Sequence, residues 1–180
     1  MPQQVPLKQI LLLLLSCTVH VQQGTAQTQL PELNLSSDLT TPGGESFLYL
    51  TWSSYGARVG KVISKVSFPK GILTFMESKS GEAAERASAE VKTSLKQDTA
   101  DAELALLEVS ISAPNGLADG TLTTLKFTVA QSAPETDVNL INAVKAFSPD
   151  GQQVSARGNV AVLTISPAKL PQVGCFFFAH

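Results

Sequence analysis

Histidine and cysteine are missing from the body of this chain. Between Gln27 and Val173 there is neither an imidazole nor a thiol. Cys17 and His20 lie in an apolar leader, and Cys175 and His180 lie at the opposite end. The usual general base, the usual nitrogen ligand for a metal and the strongest natural nucleophile are thereby removed from the central region. Aromatics are also few, at 6% of 180 residues, and Phe176–Phe178 takes up part of that supply. Positive charge is not in excess. Of the 13 basic residues only Lys8 lies in positions 1–26, which leaves 12 against 15 acidic residues. That balance disfavours nucleic acid, whose phosphates call for clustered Lys and Arg. No apolar run is long enough to span a bilayer.

What is present begins with a secretory leader, expected over residues 1–26. Lys8 supplies a weak positive start, Ile10–Leu15 the first part of the apolar run, and Gly24-Thr25-Ala26 the small residues before a cut at Gln27. Leu14-Leu15-Ser16-Cys17 offers a second reading as a lipidation box, with Cys17 acylated. Either way the domain is expected to leave the cytoplasm. Cleavage after Ala26 would leave Cys175 as the only thiol, so no disulfide within the chain is expected.

The stretch 27–42 reads as a connector with a first strand at Leu33–Leu35, and 43–167 as one domain followed by a tail over 168–180. Ser46–Trp52 (SFLYLTW) is apolar on both faces, which predicts a strand covered on both sides. Val59–Phe68 and Ile72–Met76 are split by the turn signal Pro69-Lys70-Gly71. Gly81–Glu90 (GEAAERASAE) is rich in helix formers and sets Glu82 four residues before Arg86, so one short helix is expected. Val91–Leu95, Glu103–Ser112, Thr121–Val129, Asp137–Phe147 and Asn159–Ser166 complete the strands. In the second of these Ala105, Leu107, Val109 and Ile111 share a face, and in the third Leu125, Phe127 and Val129 do. About eight or nine strands and one minor helix predict an all-β, antiparallel two-sheet sandwich.

Two segments carry a family resemblance. Val62–Phe75, containing ISKVSFPKGILTF, resembles the strand-turn-strand segment of cohesin domains, and GLADGTLTTLKFTVA at 116–130 is similar to their glycine or aspartate turn and Leu-x-Phe-x-Val strand. The closing strand NVAVLTIS also fits, so the resemblance covers about Leu33–Ser166. It implies a jelly-roll sandwich of about nine strands. It also implies a bacterial, extracellular, non-catalytic module that docks a protein partner, the calcium-binding dockerin of polysaccharide-degrading enzymes. The chain departs from the family where cohesins commonly carry Tyr-Asp-Pro. Here Phe68-Pro69 stands, without the phenol and the carboxylate.

Candidate residues follow from the strands. If docking uses one sheet face, Val59–Phe68 offers Lys61, Lys65 and Ser67, and Thr121–Val129 offers Thr124, Lys126 and Thr128. A second reading is a carbohydrate-binding sandwich, with sugar held by polar strand residues or stacked on Trp52, near Tyr55; a third is an exported structural domain without a separate ligand. Ser67-Phe68-Pro69-Lys70 has the Ser-x-x-Lys spacing of some acyl-enzymes, but Pro69 and the β-branched run before it place the pair in a strand and turn. Asp98, Asp101 and Glu103 could offer oxygens to calcium, yet they lack an EF-hand spacing and read first as a solvated loop. No catalytic residue, cofactor or metal site is otherwise expected.

Overall fold

The computed structural model describes residues 29–98 and 101–167. The leader, Cys17, the cut before Gln27, Cys175 and the tail over 168–180 lie outside them. In chain order the elements are β1 (Glu32–Leu35), β2 (Asp38–Thr40), β3 (Glu45–Ser53), β4 (Lys61–Pro69), β5 (Leu73–Ser80), α1 (Glu82–Arg86), β6 (Glu90–Gln97), β7 (Leu104–Ser112), β8 (Gly120–Val129), β9 (Thr136–Phe147), β10 (Gln153–Val154) and β11 (Val160–Ile165). They form the expected jelly-roll sandwich. One sheet runs β1-β3-β8-β5; the wider one runs β2-β11-β9-β4-β7-β6, with β10 added beside β9.

Two elements were not foreseen from the sequence, β2 and β10, and both are too short to show a period. β2 also departs from the all-antiparallel expectation, because it pairs parallel with β11. The cause is a change of sheet within a few residues. β1 lies antiparallel to β3 in the narrow sheet, and the chain then crosses at Ser36-Ser37 to join the wide one. Side chains serve as hydrogen-bond partners through the crossing: Ser36 Oγ accepts from Tyr49 N and Ser37 Oγ from Val162 N. Asn159 behaves like a strand residue there, since its amide accepts from Leu35 N at 2.7 Å and donates to Leu35 O at 2.8 Å. These side chains stand in for strand partners where the chain leaves one sheet for the other.

The core between the sheets is the product of period-2 alternation. Val62, Val66 and Phe68 of β4 face Leu122, Leu125 and Phe127 of β8 across the sandwich, all buried. Phe127 stands edge-on to Phe68 at 5.1 Å and to Phe75 at 5.6 Å, so one ring joins both layers. The helix is shorter than its composition suggests. Ala83 and Ala84 are buried and Arg86 binds Glu82 at 2.9 Å, but Ser88 takes φ 50 and ends it. At Gly158 the connection into β11 passes so close to β9 that a Cβ would lie 1.9 Å from Asn142 O, which only glycine allows.

One expectation about burial is corrected. Ser46–Trp52 is not covered on both faces: Ser46, Leu48, Leu50 and Trp52 point inward, while Phe47 and Tyr49 are 42% and 47% exposed. β3 belongs to the narrow sheet, whose outer side carries no further layer among the described residues. In β6, Val91 is half-buried but Thr93 and Leu95 are exposed. β6 is the outermost strand of the wide sheet, and the narrower sheet does not extend over its inner side.

Candidate functional site

The six candidate residues do not share a face. β4 is in the wide sheet and β8 in the narrow one, so Lys61, Lys65 and Ser67 point out of one side of the sandwich and Thr124, Lys126 and Thr128 out of the other. Alternation in the sequence shows that each strand has a polar side. It carries no information on which sheet the strand joins, and that decides which side of the molecule it faces.

On the narrow sheet, Lys126 is held in place. Its ammonium meets Glu45 at 2.8 Å and lies 5.6 Å from the Phe47 ring centre. The hydrogen bond it donates to Glu45 raises the Lys126 pKa above its ordinary value. Tyr49 and Thr124 sit side by side across the β3–β8 pair. Trp52 lies on the inner side of β3, 1% exposed, so it offers no ring to a ligand. Tyr55 is exposed in a left-handed conformation, φ 46, and donates to Glu32 Oε1 at 2.8 Å. That hydrogen bond, with burial and the Glu32 charge behind it, raises the phenol pKa.

The outer side of β9-β4-β7-β6 is different in kind. Strand register places side chains in rows across it: Phe147, Lys61, Ser112 and Glu90; then Lys145, Ile63, Ser110 and Lys92; then Ala143, Lys65, Glu108 and Ser94; then Ile141, Ser67, Leu106 and Lys96. Glu108 receives lysines from both neighbouring strands, Lys65 at 3.8 Å and Lys96 at 3.2 Å. Lys92 pairs with Glu90 at 2.8 Å. Among the described residues, Lys61 and Lys145 have no carboxylate at ion-pair distance. Ile141 is 53% exposed; Leu106 lies in the same row beyond Ser67, and Ile63 two rows away across Lys65 and Glu108, both half-buried. The face thus combines dispersed apolar side chains with five lysines against Glu90 and Glu108, although the whole chain carries a net charge of −2. Ile63, Leu106, Ile141, Lys92, Lys96 and Lys145 were not singled out in the sequence. The only signal for them was the same alternation that runs through every strand.

The remaining motifs resolve simply. Ser67 lies within β4 and Lys70 sits in the turn closed by Ile72 N to Pro69 O, so the pair has no helix to align it. Asp101 turns its carboxylate onto Glu103 N at 2.9 Å. Among the described residues no group of three or more His, Cys, Asp or Glu is placed to hold a metal ion, and no helix is long and apolar enough to cross a membrane.

Two stacked sheets of this order, with mixed polar and apolar outer faces, define a β-sandwich module of the jelly-roll kind. Its fold is cohesin-like. No protein-family model matches the sequence, and no curated protein matches it. Solved structures do. The non-cellulosomal cohesin of the hyperthermophilic archaeon Archaeoglobus fulgidus is 16% identical with a TM-score of 0.58, over 77% of this chain and 92% of that one. CaCohA2 of Clostridium acetobutylicum is 15% identical with a TM-score of 0.60, over 77% and 92%. The third cohesin ScaC of Acetivibrio cellulolyticus, solved in complex with the ScaB dockerin, is 14% identical with a TM-score of 0.62, over 76% and 99%.

Proposed function

We propose that this chain is a non-catalytic docking module that holds an acidic protein partner on the outer side of β9-β4-β7-β6. One observation carries the reading: this face is lysine-rich, opposite in sign to the chain as a whole, and carries the exposed Ile141 with the half-buried Ile63 and Leu106 among its polar side chains. Ile141 and its apolar neighbours on the face supply binding energy when water is expelled, and Lys61 and Lys145, which have no carboxylate at ion-pair distance among the described residues, steer a partner of negative charge. Similar folds occur in complexes with dockerins, which supports a protein rather than a small molecule as the partner. A dockerin-type partner in extracellular polysaccharide degradation is the finer form of the proposal.

The test uses the protein as bait on the secreted proteins of its own host. Ile141→Glu with Lys145→Glu should reduce retention of the bound protein by at least about tenfold, the equivalent of roughly 1.4 kcal/mol. Both side chains are exposed and neither has an ion pair to lose, so the thermal midpoint should hardly move. Thr124→Glu, on the opposite side and beside Lys79, should leave retention unchanged. Equal loss from both variants would refute this choice of face. Retention of cellulose instead, abolished by Phe47→Ala with Tyr49→Ala, would favour sugar binding on the narrow sheet.

The reading includes export. Cleavage of the leader should give a mature protein beginning at Gln27, seen directly in the intact mass. A species that starts at an acylated Cys17 would replace it with a membrane-tethered form.

A further inference from the structure

Where the docking face meets the turn after β9, a cleft of about 640 Å³ opens, lined chiefly by Lys61, Ile63, Ser112, Pro114, Phe147 and Pro149. This size falls within the range of about 300–1,000 Å³ in which proteins hold discrete ligand groups. Its shape depends on Gly60, where a Cβ would lie 2.8 Å from Pro149 Cα; without one, the turn can close against the start of β4.

Several of the polar groups around the cleft are already committed, although the Ser88 and Ser112 hydroxyls in its lining remain open to a ligand. Gly60 N donates to Phe147 O and Gly60 O accepts from Ala113 N, each at 2.8 Å. The Ser148 hydroxyl binds Asp150 and Gln152 O. Glu90 on the far rim is neutralised by Lys92 at 2.8 Å. What remains to a visitor is a mainly apolar hollow with one ammonium group in its lining that has no ion-pair partner among the described residues, Lys61 in the row of Phe147; Lys145 lies next along the face, in the row of Ile63.

We infer that this cleft is the anchor pocket of the docking face, taking a large apolar side chain of the partner while an adjacent Asp or Glu of the same segment pairs with Lys61. The inference rests on the docking proposal and specifies it: the partner carries an acidic residue next to its apolar anchor, presented on a helix lying along the rows of the face. An apolar group in the hollow leaves no committed hydrogen bond broken, and a carboxylate at its mouth meets a cation that has no other partner to give up. The cleft is continuous with the face through Lys61 and Ile63, so one partner reaches both.

A display library of helical peptides selected on the full chain tests this. Clones that bind wild type and are lost on Ile141→Glu/Lys145→Glu are directed to the face. Those clones should be enriched in an apolar residue adjoining Asp or Glu. They should lose at least about tenfold in affinity on Ser112→Trp, which fills the cleft, and several-fold on Lys61→Gln, together with part of their salt dependence. Lys61→Gln alters an exposed side chain outside any ion pair and keeps the test informative if Ser112→Trp folds poorly. Face-directed clones indifferent to both changes would overturn the anchor pocket and leave the docking proposal standing. If no selected clone is lost on Ile141→Glu/Lys145→Glu, the docking proposal itself fails.

Discussion

Phe127→Ala should destabilise the protein by about 3–5 kcal/mol, the usual cost of removing a large buried aromatic. The ring is fully buried and contacts Phe68 of the wide sheet and Phe75 of the narrow one, both edge-on. Its removal leaves a void between the layers and forfeits two aromatic contacts together. The surrounding side chains belong to strands fixed by their hydrogen-bond ladders, so the hollow can close only in part. Urea unfolding with an unchanged m-value would report the loss as stability alone. A cost below about 1 kcal/mol, the level of an ordinary surface change, would mean that the layers collapse onto the gap or that the ring is not central.

Asn142→Leu tests the other kind of interior. The residue is 3% exposed on the inner side of β9, where the alternation otherwise calls for an apolar side chain. Its amide donates to Leu33 O at 2.7 Å and accepts from the buried Ser64 hydroxyl at 2.6 Å. It therefore ties β1, in the narrow sheet, to β9 and β4 in the wide one. Leucine has a similar size but leaves the Leu33 carbonyl and the Ser64 hydroxyl without these partners. At about 1–3 kcal/mol for each of the two orphaned buried groups, the expected loss is roughly 2–6 kcal/mol. Ser64→Ala in the Asn142→Leu background should recover part of it, because it removes one of the orphans. A variant as stable as wild type would show that water or a shift of β1 satisfies both groups. Recovery by Ser64→Ala is the result that a general packing defect would not produce.

Much of the sandwich was legible in the sequence because alternation is local. Leu107, Val109 and Ile111 announce the buried side of β7, and Leu125, Phe127 and Val129 that of β8, without knowledge of any partner strand. The turn at Pro69-Lys70-Gly71 and the Glu82–Arg86 pair are equally short-range. β2 and β10 were illegible because strands of three and two residues have no period, and what holds β2 is a pairing with β11 more than a hundred residues away. Phe47 and Tyr49 were misread for a related reason. An apolar run looks the same whether its outer side is covered by another layer or left open to solvent.

The candidate site divides along the same line. Composition alone removed histidine and cysteine chemistry from the central region, and the sequence pattern marked Lys61, Lys65, Thr124 and Lys126 as outward-facing. It could not separate them. Side-chain direction along a strand follows from the backbone at each residue, whereas the side of the sandwich to which a strand belongs follows from hydrogen bonds to strands distant in the chain. Tertiary pairing placed Lys65 beside Glu108 and Lys96, set Lys126 on the opposite side with Glu45, and brought Lys61, Ile63 and Phe147 together around one cleft. The sequence by itself determined which residues could be core and which could face a partner. Only the tertiary structure decided which of them meet the same partner, because neighbours across a sheet are chosen by register and strand order, and neither is written in any local stretch of the chain.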